Sequence, residues 1–419
     1  MHNKFVVLLK TKEKIMKKYK KSLLSIALTT ALVGVASSQS TLANSITEAL
    51  ITGTASADIR LRYEDVKQDN AAKDASALTL RTRLAYTTGS FSGFSVMVEM
   101  EDNRIVLGQG DYSIGPTGFK PGVYSVIADP EFTELDQGYI QYKGSNFSAK
   151  LGRQVITMDN HRFVGHVGWR QDRQTFDGLS AQFSPVKGLD LKYAYISQRN
   201  RIFAEAADLD TKDHLLNASY KTSVGVLTGY GYLLEVDNDT DNSLDTFGLR
   251  FTGSTDAGST KILYSAEFAS QSSQTASTDF EADYLMLEAG AVFSKVTAKV
   301  AYEVLGSDNG AYGFATPLAT LHKFNGWADQ FLGTPTQGLV DVSFTLSGTA
   351  GGGGWAVIYH DFSADDATAT VDDLGSEIDF QYTRKYGKYF SAGIKYAAYS
   401  AGDINVDADK LWLWAGAKF

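Results

Sequence analysis

Two pairs of arginines carry the most legible chemistry in this chain. Arg60 and Arg62 are two residues apart, and so are Arg81 and Arg83. Two-residue spacing puts both members of a pair on one face of an extended strand. In the segment 78–86, Leu78, Leu80, Thr82, Leu84 and Tyr86 fall on one face, and Thr79, Arg81, Arg83 and Ala85 on the other. If the two segments are neighbouring strands, four guanidiniums form one patch. Guanidinium forks bind carboxylates bidentately and do not deprotonate. Arg250 alternates against Phe247, Leu249 and Phe251 in the same way. Arg153, Arg162, Arg170 and Arg173 cluster around one long connection, with Arg199 and Arg201 following and Lys323 in a later one. Arg153 shares its parity with Leu151, so it faces inward only if the strand ends or bulges there.

A ring of such cations in a low-dielectric constriction selects anions. The competing reading is that the arginines pair with Glu64, Glu99, Glu101 and Asp177 and merely solvate a generic pore. Other chemistry has little support. His161, His166, His214, His322 and His360 sit in no Ser-centred elbow and no H-E-x-x-H, and Asp361 beside His360 has no visible nucleophile partner. An enzyme is therefore not expected, nor a cofactor. The run 237–242 begins like a calcium loop, but its sixth position is Asn242 and its twelfth Gly248, so no EF-hand and no metal site are expected. Asp365, Asp366, Asp372 and Asp373 read as solvated loop tips, with divalent cations bridging to lipopolysaccharide as the sharper alternative.

Period-two segments recur from residue 53 to residue 419 and number eighteen, an even count suited to a single-chain barrel. Short connections (89–93, 144–146, 185–188, 223–225, 294–295, 386–388) alternate with long ones (104–132, 155–172, 198–212, 236–243, 307–336, 364–374). This is the habit of outer-membrane barrels, with short periplasmic turns and long external loops. The expected fold is all-β: a transmembrane antiparallel barrel of about 18 strands, apolar toward lipid and charged toward the lumen. Within 314–331, Leu318, Leu321, Trp327, Ala328 and Phe331 recur at helix-like spacing. A short helical turn folded into the pore mouth is expected there, with His322 and Lys323 near the permeation path.

Thirty-nine glycines and 45 Tyr or Phe against six prolines suit many strands joined by tight turns. Lys17, Lys18, Lys20 and Lys21 precede an apolar stretch over 22–36, and 41–43 offer small residues for cleavage. Residues 1–43 are therefore expected to be a signal peptide starting at Met16, and 44–419 the barrel. Residues 1–43 hold eight of the 39 Lys and Arg and one of the 48 Asp and Glu, so the remainder has a net charge of −16. That balance leaves no nucleic-acid footprint. There is no cysteine. The chain ends in a strand closing on Phe419, resembling the terminal aromatic read by the outer-membrane assembly machinery.

Longer runs carry a family resemblance. DNHRFVGHVGWRQ over 159–171 with QTFD over 174–177, LTLRTRL over 78–84, LGRQ over 151–154, and FATPLATLHKFNGWAD over 314–329 resemble the alginate export domain family, across nearly the whole of 44–419. The resemblance implies an eighteen-stranded barrel with an arginine-rich constriction that passes an anionic polysaccharide or oligosaccharide such as alginate. The function expected is thus an outer-membrane channel for anionic solutes in a Gram-negative envelope, in contact with lipid and lipopolysaccharide. The alternatives are a general or oligosaccharide-uptake porin without strong anion selectivity, an adhesin with a plugged barrel, and a hydrolase. Arg60, Arg62, Arg81, Arg83, Arg153, Arg162, Arg170, Arg173, Arg250 and Lys323 are the expected pore-lining residues.

Overall fold

The structure is a computed structural model and describes residues 44–115, 118–276 and 278–419. The expected leader, 1–43, lies outside the described residues. A short helix, α1 (Ile46–Ile51), precedes eighteen strands. They are β1 (Thr54–Gln68), β2 (Ala75–Thr87), β3 (Phe94–Asp111), β4 (Phe132–Lys143), β5 (Phe147–Gln154), β6 (Thr175–Phe183), β7 (Leu189–Asn200), β8 (Leu209–Lys221) and β9 (Val226–Leu234). There follow β10 (Asn242–Ala257), β11 (Thr260–Thr275), β12 (Thr278–Phe293), β13 (Val296–Leu305), β14 (Leu339–Ala350), β15 (Gly353–Ser363), β16 (Asp373–Tyr386), β17 (Phe390–Ser400) and β18 (Ala408–Lys418).

Each strand pairs antiparallel with its sequence neighbours, and β1 pairs with both β2 and β18. The sheet therefore closes into a barrel with no free edge, which satisfies every ladder hydrogen bond without water. Period-two alternation orients it. On the outward parity Leu61, Leu84, Val96, Val98, Phe247 and Leu249 are exposed, while Arg62, Glu64, Arg81, Arg83, Glu101 and Asn103 on the inward parity are buried. Apolar outside and charged inside is the reverse of a soluble sheet and matches a lipid-facing wall.

Two expectations about connections change. Strand β3 runs on to Asp111, past the expected start of a loop at 104, with a register shift opposite Ala77 and Thr79. Strands β11 and β12 stay paired up to Thr275 opposite Thr278, although this end of the barrel carries the long loops. The largest difference lies inside. The loops 155–174 and 306–338 fold into the barrel and pair with each other through a parallel bridge, Val164 with Leu318. Phe163, Phe314, Leu318 and Phe331 of these loops pack with the wall residues Tyr284 and Tyr399 into one buried cluster. Part of the lumen is thus a conventional hydrophobic core.

Candidate functional site: an arginine-walled vestibule under two inward loops

Closure of β1 against β2 sets Arg60 opposite Arg81, so the two expected arginine pairs do meet. Arg60, Arg81, Arg83 and Arg173 line a cavity of about 530 Å³ in the short-turn half of the barrel. Its wall also carries Lys418, Asp58, Glu99, His166 and Trp414. The lining side chains therefore hold five cations and two carboxylates. Other carboxylates stand behind the guanidiniums, fully buried. Glu101 accepts from Arg83 at 2.7 Å, and Asp136 lies 2.6 Å from Arg173. Arg173 also pairs with Glu99, and Arg81 with Asp58 at 2.6 Å. Buried carboxylates fix the forks without covering the faces turned to the cavity, and keep a cluster of like charges tolerable.

Arg60 differs from the other arginines of the wall. Its guanidinium donates to Gln171 Oε1 at 2.8 Å and to the carbonyls of Gly168, Trp169 and Arg170 at 3.3, 2.8 and 2.5 Å. All four acceptors are neutral. Its charge is held in place by the loop and not offset by it.

The 155–174 loop roofs the vestibule. Val167 adopts φ +48°, rare for a β-branched residue, and turns His166 and Gly168 toward the cavity. Burial pushes the His166 imidazole down to about 4, with His161, Arg173 and Arg83 adding to the effect. His166 therefore faces the cavity neutral at pH 7.

Four of the ten expected residues, Arg60, Arg81, Arg83 and Arg173, line free space. Arg62, Arg162 and Arg170 point inward but are covered, which corrects their expected role as pore lining. Arg62 pairs with Asp129 and with Glu64 at 3.2 Å. Arg170 bridges Glu64 at 2.9 Å and Asp329 at 3.0 Å, and Arg162 bridges Glu303 at 2.8 Å and Asn325 at 3.0 Å. These arginines tie loops to wall, because a buried guanidinium needs a paired carboxylate. Arg250 faces inward and pairs with Glu267 at 3.3 Å. Lys323 is exposed and donates to the Asn160 carbonyl at 2.7 Å. Arg153 is a second correction. It shares the outward parity of exposed Leu151 and pairs with Asp177 at 2.7 Å, while inward Gln154 accepts from Ser180 at 2.6 Å. The irregular φ of +123° at Gly152 does not carry Arg153 across the wall.

The expected helical turn in the second loop is a single 3₁₀ turn, Leu321–Lys323, and it sits in a latch. His322 stacks on Trp169 with ring centroids 5.0 Å apart, donates from Nδ1 to Asp329 at 2.7 Å, and accepts from Lys395 Nζ at 3.0 Å. Lys395 lies over the rings of Trp169 and Trp327 at 4.2 and 3.8 Å. Burial pushes the His322 imidazole down to about 3, Lys395 and Arg170 adding to it against the pull of Asp329. Burial opposes ionisation of Asp329, yet His322, Lys410 and Arg170 outweigh it and hold that carboxyl well below the usual range. The sequence reading missed Lys395 and Lys410. Both stand at inward strand parity, Lys395 between Ile394 and Tyr396 and Lys410 between Asp409 and Leu411, the parity signal already used for the arginines.

Among the described residues, no three His, Asp or Glu converge in a metal-holding arrangement. The acidic run at 237–242 closes on itself, with Asn242 Nδ2 donating to the carbonyls of Val236 and Thr240 at 2.9 and 3.1 Å. His360 pairs with Asp341 at 2.9 Å and not with Asp361.

Comparison with known proteins supplies the family. The alginate export family model matches residues 53–305, so the match ends before the run at 314–329. No curated protein sequence matches the chain. Solved structures share the fold at low identity. OccAB1 of Acinetobacter baumannii aligns at 14% identity and TM-score 0.69, over 92% of this chain and 99% of that one. A BenF-like porin from Pseudomonas fluorescens Pf-5 aligns at 14% and 0.69, over 88% and 100%. Pseudomonas aeruginosa OpdK, solved with vanillate, aligns at 12% and 0.66, over 88% and 99%.

Proposed function

This chain belongs to the alginate export family of outer-membrane β-barrel porins, and from that premise we propose that its arginine-lined lumen passes anionic solutes. One observation carries the reading: the side chains of the vestibule wall present five cations against two carboxylates, and Arg60 among them has only neutral hydrogen-bond partners. A carboxylate entering this space exchanges water for guanidinium donors already oriented by buried acids. Binding shared among several forks stays weak enough at each for the solute to leave. Passage is by diffusion, with no cofactor and no energy coupling. Arg81 and Arg83, spaced by one strand repeat, offer successive contacts to a chain bearing a carboxylate on each unit. This supports an anionic polysaccharide or oligosaccharide, alginate included, as the solute class. The vanillate in the OpdK structure is itself a carboxylate, which supports the same chemistry for smaller acids.

A general porin without anion preference is the second reading. It is favoured by the carboxylates Asp58, Glu99, Glu101 and Asp136, which pair with the same arginines. Reversal potential in a salt gradient across a planar bilayer separates the two. Anion selectivity that falls in Arg81→Ala and Arg83→Ala supports the arginine wall. A pore of unchanged, cation-favouring selectivity leaves the general porin.

A further inference from the structure

The outward face at the short-turn end carries a band of aromatics, among them Phe94, Tyr142, Phe147, Phe183, Tyr220 and Phe390, all exposed. Such a girdle sits at the membrane–water interface. Strand β1 breaks it. Its first residues are Thr54, Ala55, Ser56 and Ala57, and its first large outward residue is Ile59. The helix α1 lies beside this gap. We propose that α1 is an interfacial foot that fills the gap in the girdle and seats its apolar side in the headgroup–acyl boundary of the periplasmic leaflet.

The pose of the helix is fixed by hydrogen bonds. The Gly89 amide donates to the Ala49 carbonyl at 2.8 Å, and the Tyr86 hydroxyl donates to the Leu50 carbonyl at 2.6 Å and accepts from the Gly53 amide at 3.1 Å. Tyr86 shares the outward parity of exposed Leu84, so these bonds hold the helix on the lipid side of the wall. Ser45 caps its start, its hydroxyl accepting from the Glu48 amide at 3.1 Å. Ala49 is the only buried residue of the helix. Ile46, Leu50 and Ile51 are 64%, 56% and 76% exposed. At 100° per residue Ile46 and Leu50 share a side, Ile51 continues the arc and Glu48 points away from it. Three bare aliphatic side chains on a tethered helix, continuous with a lipid-facing band, fit lipid and not water.

The absence of cysteine gives a clean background for spin labels. The full chain, in phosphatidylethanolamine–phosphatidylglycerol vesicles, is labelled at Leu50→Cys, Ile51→Cys, Glu48→Cys or mid-wall Leu249→Cys. Each variant is checked for the heat-modifiable gel shift of a folded barrel. Collision with oxygen is compared with collision with a water-soluble nickel chelate. Expected is oxygen access exceeding nickel access several-fold at 50 and 51, as at 249, and the reverse at 48. Nickel access at 50 and 51 equal to that at 48 overturns the proposal, since the helix then stands in water. Poor access of both reagents at 50 and 51 also overturns it and indicates a protein cover, from residues 1–43 or a second copy. The result does not depend on ion selectivity, so it stands or falls apart from the anion reading.

Discussion

Glu101 and Arg60 divide the work of charge at the vestibule wall. Glu101 is fully buried, 2.7 Å from the Arg83 Nε donor and 3.8 Å from Arg81. Replacing it with Gln removes a negative charge without emptying the space. The expected outcome of Glu101→Gln is a reversal potential shifted further toward anions, opposite in sign to Arg83→Ala. Its folded stability, followed by the heat-modifiable gel shift, should also fall, by about 3 kcal/mol, because buried Arg83 keeps only its longer 3.5 Å contact with Asp136. For Arg60→Gln the expected effect is mainly electrical. Its partners are four neutral oxygens, so anion selectivity should fall with less loss of stability than in Glu101→Gln.

The inward loops are elements built from tertiary contacts more than from local propensity. Asn325 and Gly326, at φ +52° and +84°, let the second loop turn against β16, where a Cβ at residue 326 would stand 2.3 Å from the Glu377 carboxylate. Gly326→Ala should therefore free the loop, read as new trypsin cleavage after Lys323 in the folded barrel. Acid should do the same by another route. His322 is neutral in the latch, with a folded value near 3, whereas a released loop histidine takes up a proton near 6.5. Protonation thus favours the released loop as pH falls below 6.5, and the effect levels off only below about 3. At pH 5 the latch is weakened by roughly 2 kcal/mol. Trypsin is inactive at that pH, so the check is emission from Trp169, which stacks on His322, and its loss of pH dependence in His322→Gln.

At the scale of the whole molecule, closure and lipid-facing alternation are one property. A charge placed on the outward parity at the middle of a strand meets hydrocarbon and costs roughly 2–4 kcal/mol. Leu249→Arg should lower refolding free energy in vesicles by that amount. Arg250→Ala, one residue along and facing inward to Glu267, should instead alter conductance. The strands were legible because their alternation is local: a period of two records which side meets lipid, whatever the rest of the chain does. The same parity rule brought Arg60, Arg62, Arg81 and Arg83 together, and it already tied Arg153 to the side of Leu151. The landing points of the loops were not legible. Arg162 finds Glu303 and Arg170 finds Glu64 across more than a hundred residues, and no spacing in the sequence encodes such pairs. Alternation against an apolar surround was enough to specify the barrel, its strand number and the inward face of Arg60, Arg62, Arg81, Arg83 and Arg250. Which arginines meet open space and which hold loops emerged only on closure of the chain, because burial beside a distant carboxylate has no local signature.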